Sequence, residues 1–217
     1  MNKLFIAKME TKVRKILLMC GLPGSGKTTT AHRIRQAVDD SIVISRDYFR
    51  IPYRGNGSLH EFSYKGGTIV DSIFFARAKD LLSIYSTVIL DATFRLCEKR
   101  IEALNFANNQ SCQFFIIECI CSYDTLVQRL KRQILLGEKK FLKPLEEVVK
   151  YYIKDTQSQE NKLNRANFIQ FDTENNQILS SISDESCKFT KQLLKILKQP
   201  FDLSLVEPFS TTNCDLF

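Results

Sequence analysis

The chain has 217 residues, 44% of them hydrophobic, and carries 31 Lys and Arg against 24 Asp and Glu, a formal charge of +7. That length and apolar content suit one α/β domain with a substantial core, and no apolar stretch reaches the ~18 residues that cross a bilayer. The start, Met1 to Lys8, is too short and too charged for a secretion signal, and seven cysteines without zinc-like spacing argue for a reducing, cytoplasmic compartment over a disulfide framework.

In chain order, residues 1–14 read as an N-terminal extension. The apolar run Ile16–Cys20 predicts a strand, and a helix is expected over Thr28–Val38. Between them lies Gly21-Leu22-Pro23-Gly24-Ser25-Gly26-Lys27-Thr28, a full G-x-x-x-x-G-K-[ST] phosphate-binding loop in strand-to-helix context. Its glycines let the backbone curl so that successive N–H groups face phosphate oxygens, and the helix N-terminus beyond, with Thr29 in its first turn, adds a favourable dipole. Lys27 is expected to reach the β- and γ-phosphates and the Thr28 hydroxyl to bind Mg²⁺, so a nucleoside triphosphate, ATP, is the expected ligand.

Ile42–Ile44 predicts the second strand, and Ser45-Arg46-Asp47-Tyr48-Phe49-Arg50 follows it. In a parallel sheet ligands gather at the carboxyl ends of the strands. A carboxylate there suits proton acceptance from an attacking hydroxyl, with Arg46 and Arg50 holding an anionic or polar substrate. The same Asp47 is also a good helix N-cap, and the phosphate-binding loop upstream favours the catalytic reading. Pro52–Gly57 is linker-like, and His60 stands in a polar loop with no recognisable site around it.

A helix is expected over Thr68–Ser83, and the third strand, Val88–Leu90, ends in Asp91-Ala92-Thr93. An apolar strand closed by Asp is a Walker B pattern whose acid supports Mg²⁺. Thr93 and Arg95 follow as candidate substrate contacts. Arg100, on the next predicted helix (Glu98–Asn108), fits either the same cleft or a solvated face.

Phe114–Ile120 predicts the fourth strand, with Cys119 and Cys121 on one face as core thiols. Helices are expected at Asp124–Leu136 and Leu145–Lys154. From Arg129 to Lys154 the chain is densely basic, with Arg129, Lys131, Arg132, Lys139, Lys140, Lys143, Lys150 and Lys154. This segment, about 124–154, reads as a basic helical lid that closes Arg129 or Arg132 over the triphosphate; a solvated helix face is the plainer alternative. Phe168–Phe171 predicts a fifth strand, Gln177–Lys198 a last helix, and residues 199–217 a tail without Lys or Arg. His32 belongs to the first helix with a surface or core role, and Asn161-Lys162-Leu163-Asn164 lacks the final Asp of a guanine-specific motif.

The phosphate-binding loop, Ser45-Arg46-Asp47-Tyr48-Phe49-Arg50 and Asp91-Ala92-Thr93 together resemble the P-loop kinase family typified by phage polynucleotide 5′-kinase. The resemblance covers roughly Lys15 to Thr173. It implies a three-layer α/β P-loop NTPase with a five-stranded parallel sheet of nucleoside/nucleotide-kinase type, spanning 15–198. It further implies Asp47 as general base, Arg50 on the acceptor phosphate, Asp91 at the metal, a lid arginine near Arg129 or Arg132, and the loop after Phe168–Thr173 near the base of ATP. Two departures stand out: Phe94 replaces a frequent Asn, and the lid arginines are three residues apart where the phage pattern suggests four. Zeta-type toxins and antibiotic phosphotransferases share the P-loop and the Asp after strand two.

The expected reaction is in-line transfer of the γ-phosphoryl group to a hydroxyl, with Lys27, Thr28-bound Mg²⁺ and a lid arginine neutralising charge. The acceptor expected first is the 5′-OH of a nucleic acid; a small-molecule hydroxyl is the alternative, and a non-catalytic ATP-binding module the third. No membrane contact is expected, and the oligomeric state is not written in the motifs.

Overall fold

A computed structural model of the chain describes residues 13–50, 64–137, 144–157, 167–182 and 187–200. The expectations on Pro52–Gly57, His60, the Lys139–Lys143 basic residues, Asn161–Asn164, most of the extension and nearly all of the tail lie outside the described residues. The elements run β1 (Lys15–Cys20), α1 (Lys27–Ala37), β2 (Ser41–Ser45), α2 (Arg46–Arg50), α3 (Tyr64–Leu81), β3 (Thr87–Asp91), α4 (Cys97–Asn109), β4 (Gln113–Ile120), α5 (Tyr123–Leu135), α6 (Leu145–Gln157), β5 (Asn167–Asp172), β6 (Gln177–Ile182) and α7 (Lys188–Lys198).

The strands form one sheet in the order β2-β3-β1-β4-β5-β6. The first five are parallel, and β6 returns antiparallel on the edge. Every residue from Ile16 to Cys20 is fully buried, as expected of a central strand covered on both faces. Its side chains alternate with the period of two. Ile16, Leu18 and Cys20 enter a core with Phe74 and Ala78 of α3 and Ala103 and Ala107 of α4. Leu17 and Met19 enter a second core with Ala31 and Ile34 of α1 and Leu193 and Leu197 of α7. The result is a three-layer α/β fold. A smaller third core joins Leu126 and Leu130 of α5 to Leu145 and Val149 of α6, with Leu22 of the phosphate-binding loop packed against it.

Two expectations are corrected. The sheet has six strands where five were expected, and the single helix read over Gln177–Lys198 is instead β6 followed by α7. The turn between β5 and β6 explains both. Asp172 Oδ1 accepts from the N–H groups of Glu174 (2.9 Å) and Asn175 (3.2 Å), and Asn176 takes a left-handed φ of 53°. That Asx-type chemistry reverses the chain immediately after β5. Ile178 and Ile182 sit four apart and so mimic helical spacing, yet β6 is largely exposed, as a polar edge strand can be.

Asp47 lies in the first turn of α2, which begins at Arg46, so it is not the cap itself; an acid there still favours the helix dipole. The buried Arg33 closes the far side of the fold. It donates to Asn176 Oδ1 (2.6 Å), to Ile196 O (2.5 Å) and to Gln199 O, tying α1 to the β5–β6 turn and to the carbonyl end of α7. Among the described residues, no helix is long and apolar enough to cross a membrane.

Candidate active site

The loop from Gly21 to Gly26 leaves the carboxyl end of β1 at the middle of the sheet. Gly21 has φ 135°, and a Cβ there would stand 2.3 Å from Cys119 O on neighbouring β4. The position therefore needs glycine both for conformation and for space. Gly26, with φ 88°, forms the N-cap of α1 and offers no side-chain cap, which leaves the helix N–H groups for an anion. Ser25 Oγ is buried and has no hydrogen-bond partner within the described protein. An orphaned hydroxyl in a ring of backbone donors suits a phosphate oxygen.

Lys27 is buried, and its Nζ donates to Leu22 O at 2.7 Å. Burial pushes its pKa below the ordinary value, opposed chiefly by the Asp91 carboxylate. The Thr28 hydroxyl donates to Asp91 Oδ2 at 2.7 Å, and Thr29 is half-buried one residue further along α1. Burial raises the Asp91 pKa, opposed by Lys27 and by the Thr28 bond. Thr28 and Asp91 thus present paired hard oxygens, the donor type Mg²⁺ takes when phosphate and water complete its shell.

The parallel register sets Ser45 opposite Asp91, so Asp47 emerges two residues beyond that pairing on the adjacent strand end. It is exposed, and its charge acts on both Lys27 and Asp91. The sheet therefore gathers Lys27, Thr28, Asp47 and Asp91 at one edge.

The arginines take individual courses. Arg46 Nε donates to Asp71 Oδ1 at 2.5 Å, and Lys99 Nζ reaches Asp71 Oδ2 at 2.7 Å. Arg50 closes α2. Thr93 is exposed, and its carbonyl accepts from Gly21 N at 3.2 Å. Arg95 lies 5.4 and 5.2 Å from the ring centroids of Tyr151 and Tyr152 on α6. Arg100 takes neither course left open for it: it is buried, donates to Phe94 O at 2.8 Å and lies 3.6 Å from Glu118 Oε1. Arg129 donates to Thr173 Oγ1 at 2.8 Å and stands 3.5 Å from Gly24 O, whereas Arg132 is exposed in the last turn of α5. Of Arg129 and Arg132, only Arg129 touches the phosphate-binding loop among these contacts.

Asp71 and Thr173 were not singled out from sequence. An acid one residue after Val70 and three before Phe74, both fully buried, was the available signal for Asp71. Thr173 follows β5 directly, bonds to Ser25 O at 2.8 Å, and would crowd a Cβ at Gly26 at 3.0 Å. Cys20 and Cys119, beneath the loop, have their thiols pushed up to about 12 by burial, so they are neutral core groups. His32 is half-buried on α1 with its pKa lowered by burial. Among the described residues, no group of three or more His, Cys, Asp or Glu forms a metal cluster.

The AAA_33 family model, described as an AAA domain, matches residues 16–152. The chain belongs to this AAA-domain family. The match takes in the phosphate-binding loop, Asp47, Asp91 and most of α6. No curated protein matches the sequence. Among solved structures, a chain of the Pnkp1/Rnl/Hen1 RNA repair complex is 20% identical at a TM-score of 0.58, over 72% of this AAA-domain chain and 48% of that one, so the likeness spans about half of the larger protein. A candidate kinase from Chloroflexus aurantiacus is 18% identical at 0.57, over 75% and 87% of the two chains. The PezAT toxin–antitoxin system of Streptococcus pneumoniae gives 16% identity at 0.54, over 89% and 81%. The AAA-domain chain thus has a P-loop kinase-like fold.

Proposed function

We propose that the protein is an ATP-dependent kinase that transfers the γ-phosphoryl group to a hydroxyl, and that the acceptor is the 5′-OH of a polynucleotide. The observation that carries the reading is the convergence of Lys27, the hydrogen-bonded Thr28–Asp91 pair and Asp47 at one sheet edge. The likeness to a chain of an RNA repair complex supports the choice of acceptor. We read 15–198 as the kinase domain, with 124–154 as its lid.

In this reading the backbone of Gly21–Thr29 and Ser25 Oγ bind the phosphates, and Lys27 spreads its charge over the β- and γ-oxygens. Thr28 and Asp91 would hold Mg²⁺, which would supply positive charge to offset that of the triphosphate. Asp47 accepts the acceptor proton or orients the hydroxyl, a role worth about 10²–10⁴ in rate. Arg129 contributes positive charge beside Gly24. Thr93 and Arg95 are assigned to the acceptor in this scheme, as is Arg50 by its place at the end of α2, while Arg46 acts through Asp71 to hold α2 against α3 and α4. The tie between Arg46 and Asp71 favours a second reading, a small-molecule kinase, because it withdraws one cation from an acceptor phosphate.

The test is transfer of labelled phosphate from ATP with Mg²⁺ to 5′-OH DNA and RNA oligonucleotides offered beside a pool of metabolites. Label on an oligonucleotide that both Lys27→Ala and Asp47→Ala lose is the expected result. Label confined to the metabolites selects the second reading, and ATP binding without any transfer overturns both.

A further inference from the structure

Beside the phosphate-binding loop and the two acids, one cluster joins Arg95 to two tyrosines that the scheme above does not employ. Arg95 stands four residues beyond Asp91, on the loop whose Thr93 carbonyl bonds to Gly21 N. Its guanidinium lies against two neighbouring aromatic rings of α6, at 5.4 Å (Tyr151) and 5.2 Å (Tyr152), and those rings are 5.9 Å apart at 54°. Helix α6 is fixed by its apolar face, which Tyr152 borders and Tyr151 points away from. Leu145, Val149 and Ile153, at spacings of four, pack with Leu126 and Leu130 of α5 and with Leu22 of the loop. That leaves Tyr152 half-buried, while Tyr151 stays 61% exposed even with Arg95 against it.

We propose that Tyr151, Arg95 and Tyr152 form a stacking subsite for the first nucleobase of a 5′-OH strand, with Arg95 meeting the phosphate on the 3′ side of that base. The inference rests on the proposed polynucleotide acceptor and names the chain's own groups that would select it. An open aromatic ring beside a fixed cation matches the two surfaces that single-stranded nucleic acid always offers, a π-face and a phosphodiester. Stacking is indifferent to base identity, so the subsite discriminates polynucleotide from sugar or metabolite without reading sequence. Cation–π contact with two rings holds the guanidinium in place and makes Tyr151 a preformed platform. The position also fits, because the loop carrying Arg95 leaves β3, the neighbour of the strand that delivers Asp47.

The experiment uses the full chain and a 5′-OH oligonucleotide with 2-aminopurine as its first base; the protein has no Trp to interfere. Stacking on Tyr151 is expected to quench the probe. Tyr151→Phe should keep the quench. Tyr151→Ala should lose it and raise the oligonucleotide KM roughly ten- to a hundredfold at unchanged KM for ATP. Arg95→Met should weaken binding and reduce the salt slope by about one phosphate. An equal rise of both KM values in Tyr151→Ala would overturn the subsite in favour of a latch that merely closes α6. An unchanged oligonucleotide KM with transfer intact overturns the subsite and leaves the proposed function standing. Quenching that depends on Tyr151 without any transfer supports the subsite and removes the kinase reading.

Discussion

Lys27 and Asp91 are both buried, and each is driven by burial toward its neutral form while the other's charge resists. For Asp91 the consequence has a definite sign. Its pKa is raised on folding, so above the ordinary value of 3.8 the folded state holds a proton that the unfolded chain has released. Stability of the nucleotide-free protein therefore falls as pH rises from there through the raised value. Urea unfolding over that range should show the decline in the native chain and a flatter profile in Asp91→Asn; matching profiles would mean that the carboxylate is not desolvated. Phe94 presents a different conflict. It is 7% exposed, packs 6.3 Å from Phe74 between ring centroids, and has φ 37°, a conformation an aromatic residue rarely takes. Asn, which the resembling family often carries here, tolerates that backbone but cannot fill the core. Loss of a buried phenyl costs ~3–5 kcal/mol and relief of the left-handed backbone returns ~1–2, so Phe94→Asn should destabilise by about 1–4 kcal/mol in chemical denaturation. A gain in stability would mean that strain outweighs packing.

Between elements, the tie from α4 to β4 is ionic and enclosed. The side chains of Arg100 and Glu118 are 7% and 8% exposed, and Gln170 Nε2 adds a bond to Glu118 Oε2 at 2.9 Å. Glu118→Ala strands a guanidinium in the core and should cost about 3–5 kcal/mol, read as a lowered urea midpoint. Arg100→Met combined with Glu118→Leu should recover most of that loss, because two apolar groups replace a pair that had to be desolvated. Should the double variant prove no better than the single, the pair contributes more than mutual neutralisation. Sequence patterning placed Arg100 on a helix but left its face open, since a cation on a helix flanked by polar residues looks solvated until the strand beside it is known. The last helix was misread for a related reason. Ile178 and Ile182 fit the helical period, and only the turn at Asp172–Asn176 shows that the chain reverses into an edge strand.

Over the whole molecule the excess of positive charge meets the proposed acceptor. If the substrate is a polynucleotide, the affinity for a 5′-OH oligonucleotide should fall as salt rises, with a log–log slope of magnitude about 0.7 for each phosphate neutralised. A flat salt dependence with transfer intact would point to an uncharged small molecule. The phosphate-binding loop, the parallel strands, the acid that ends β3 and the acid just beyond β2 were legible in the sequence by itself. Each is a local device: a run of eight residues carries its own backbone geometry and donors, and an Asp at or just past the end of an apolar run needs only the rule that ligands sit at carboxyl strand ends. Where the long cations go was decided by tertiary structure alone. Arg46 finds its partner 25 residues away, and Arg129 finds Thr173 at a distance of 44. A flexible side chain pairs with whichever acceptor the fold brings within reach, and the sheet order β2-β3-β1-β4-β5-β6, which no local pattern encodes, sets those neighbours.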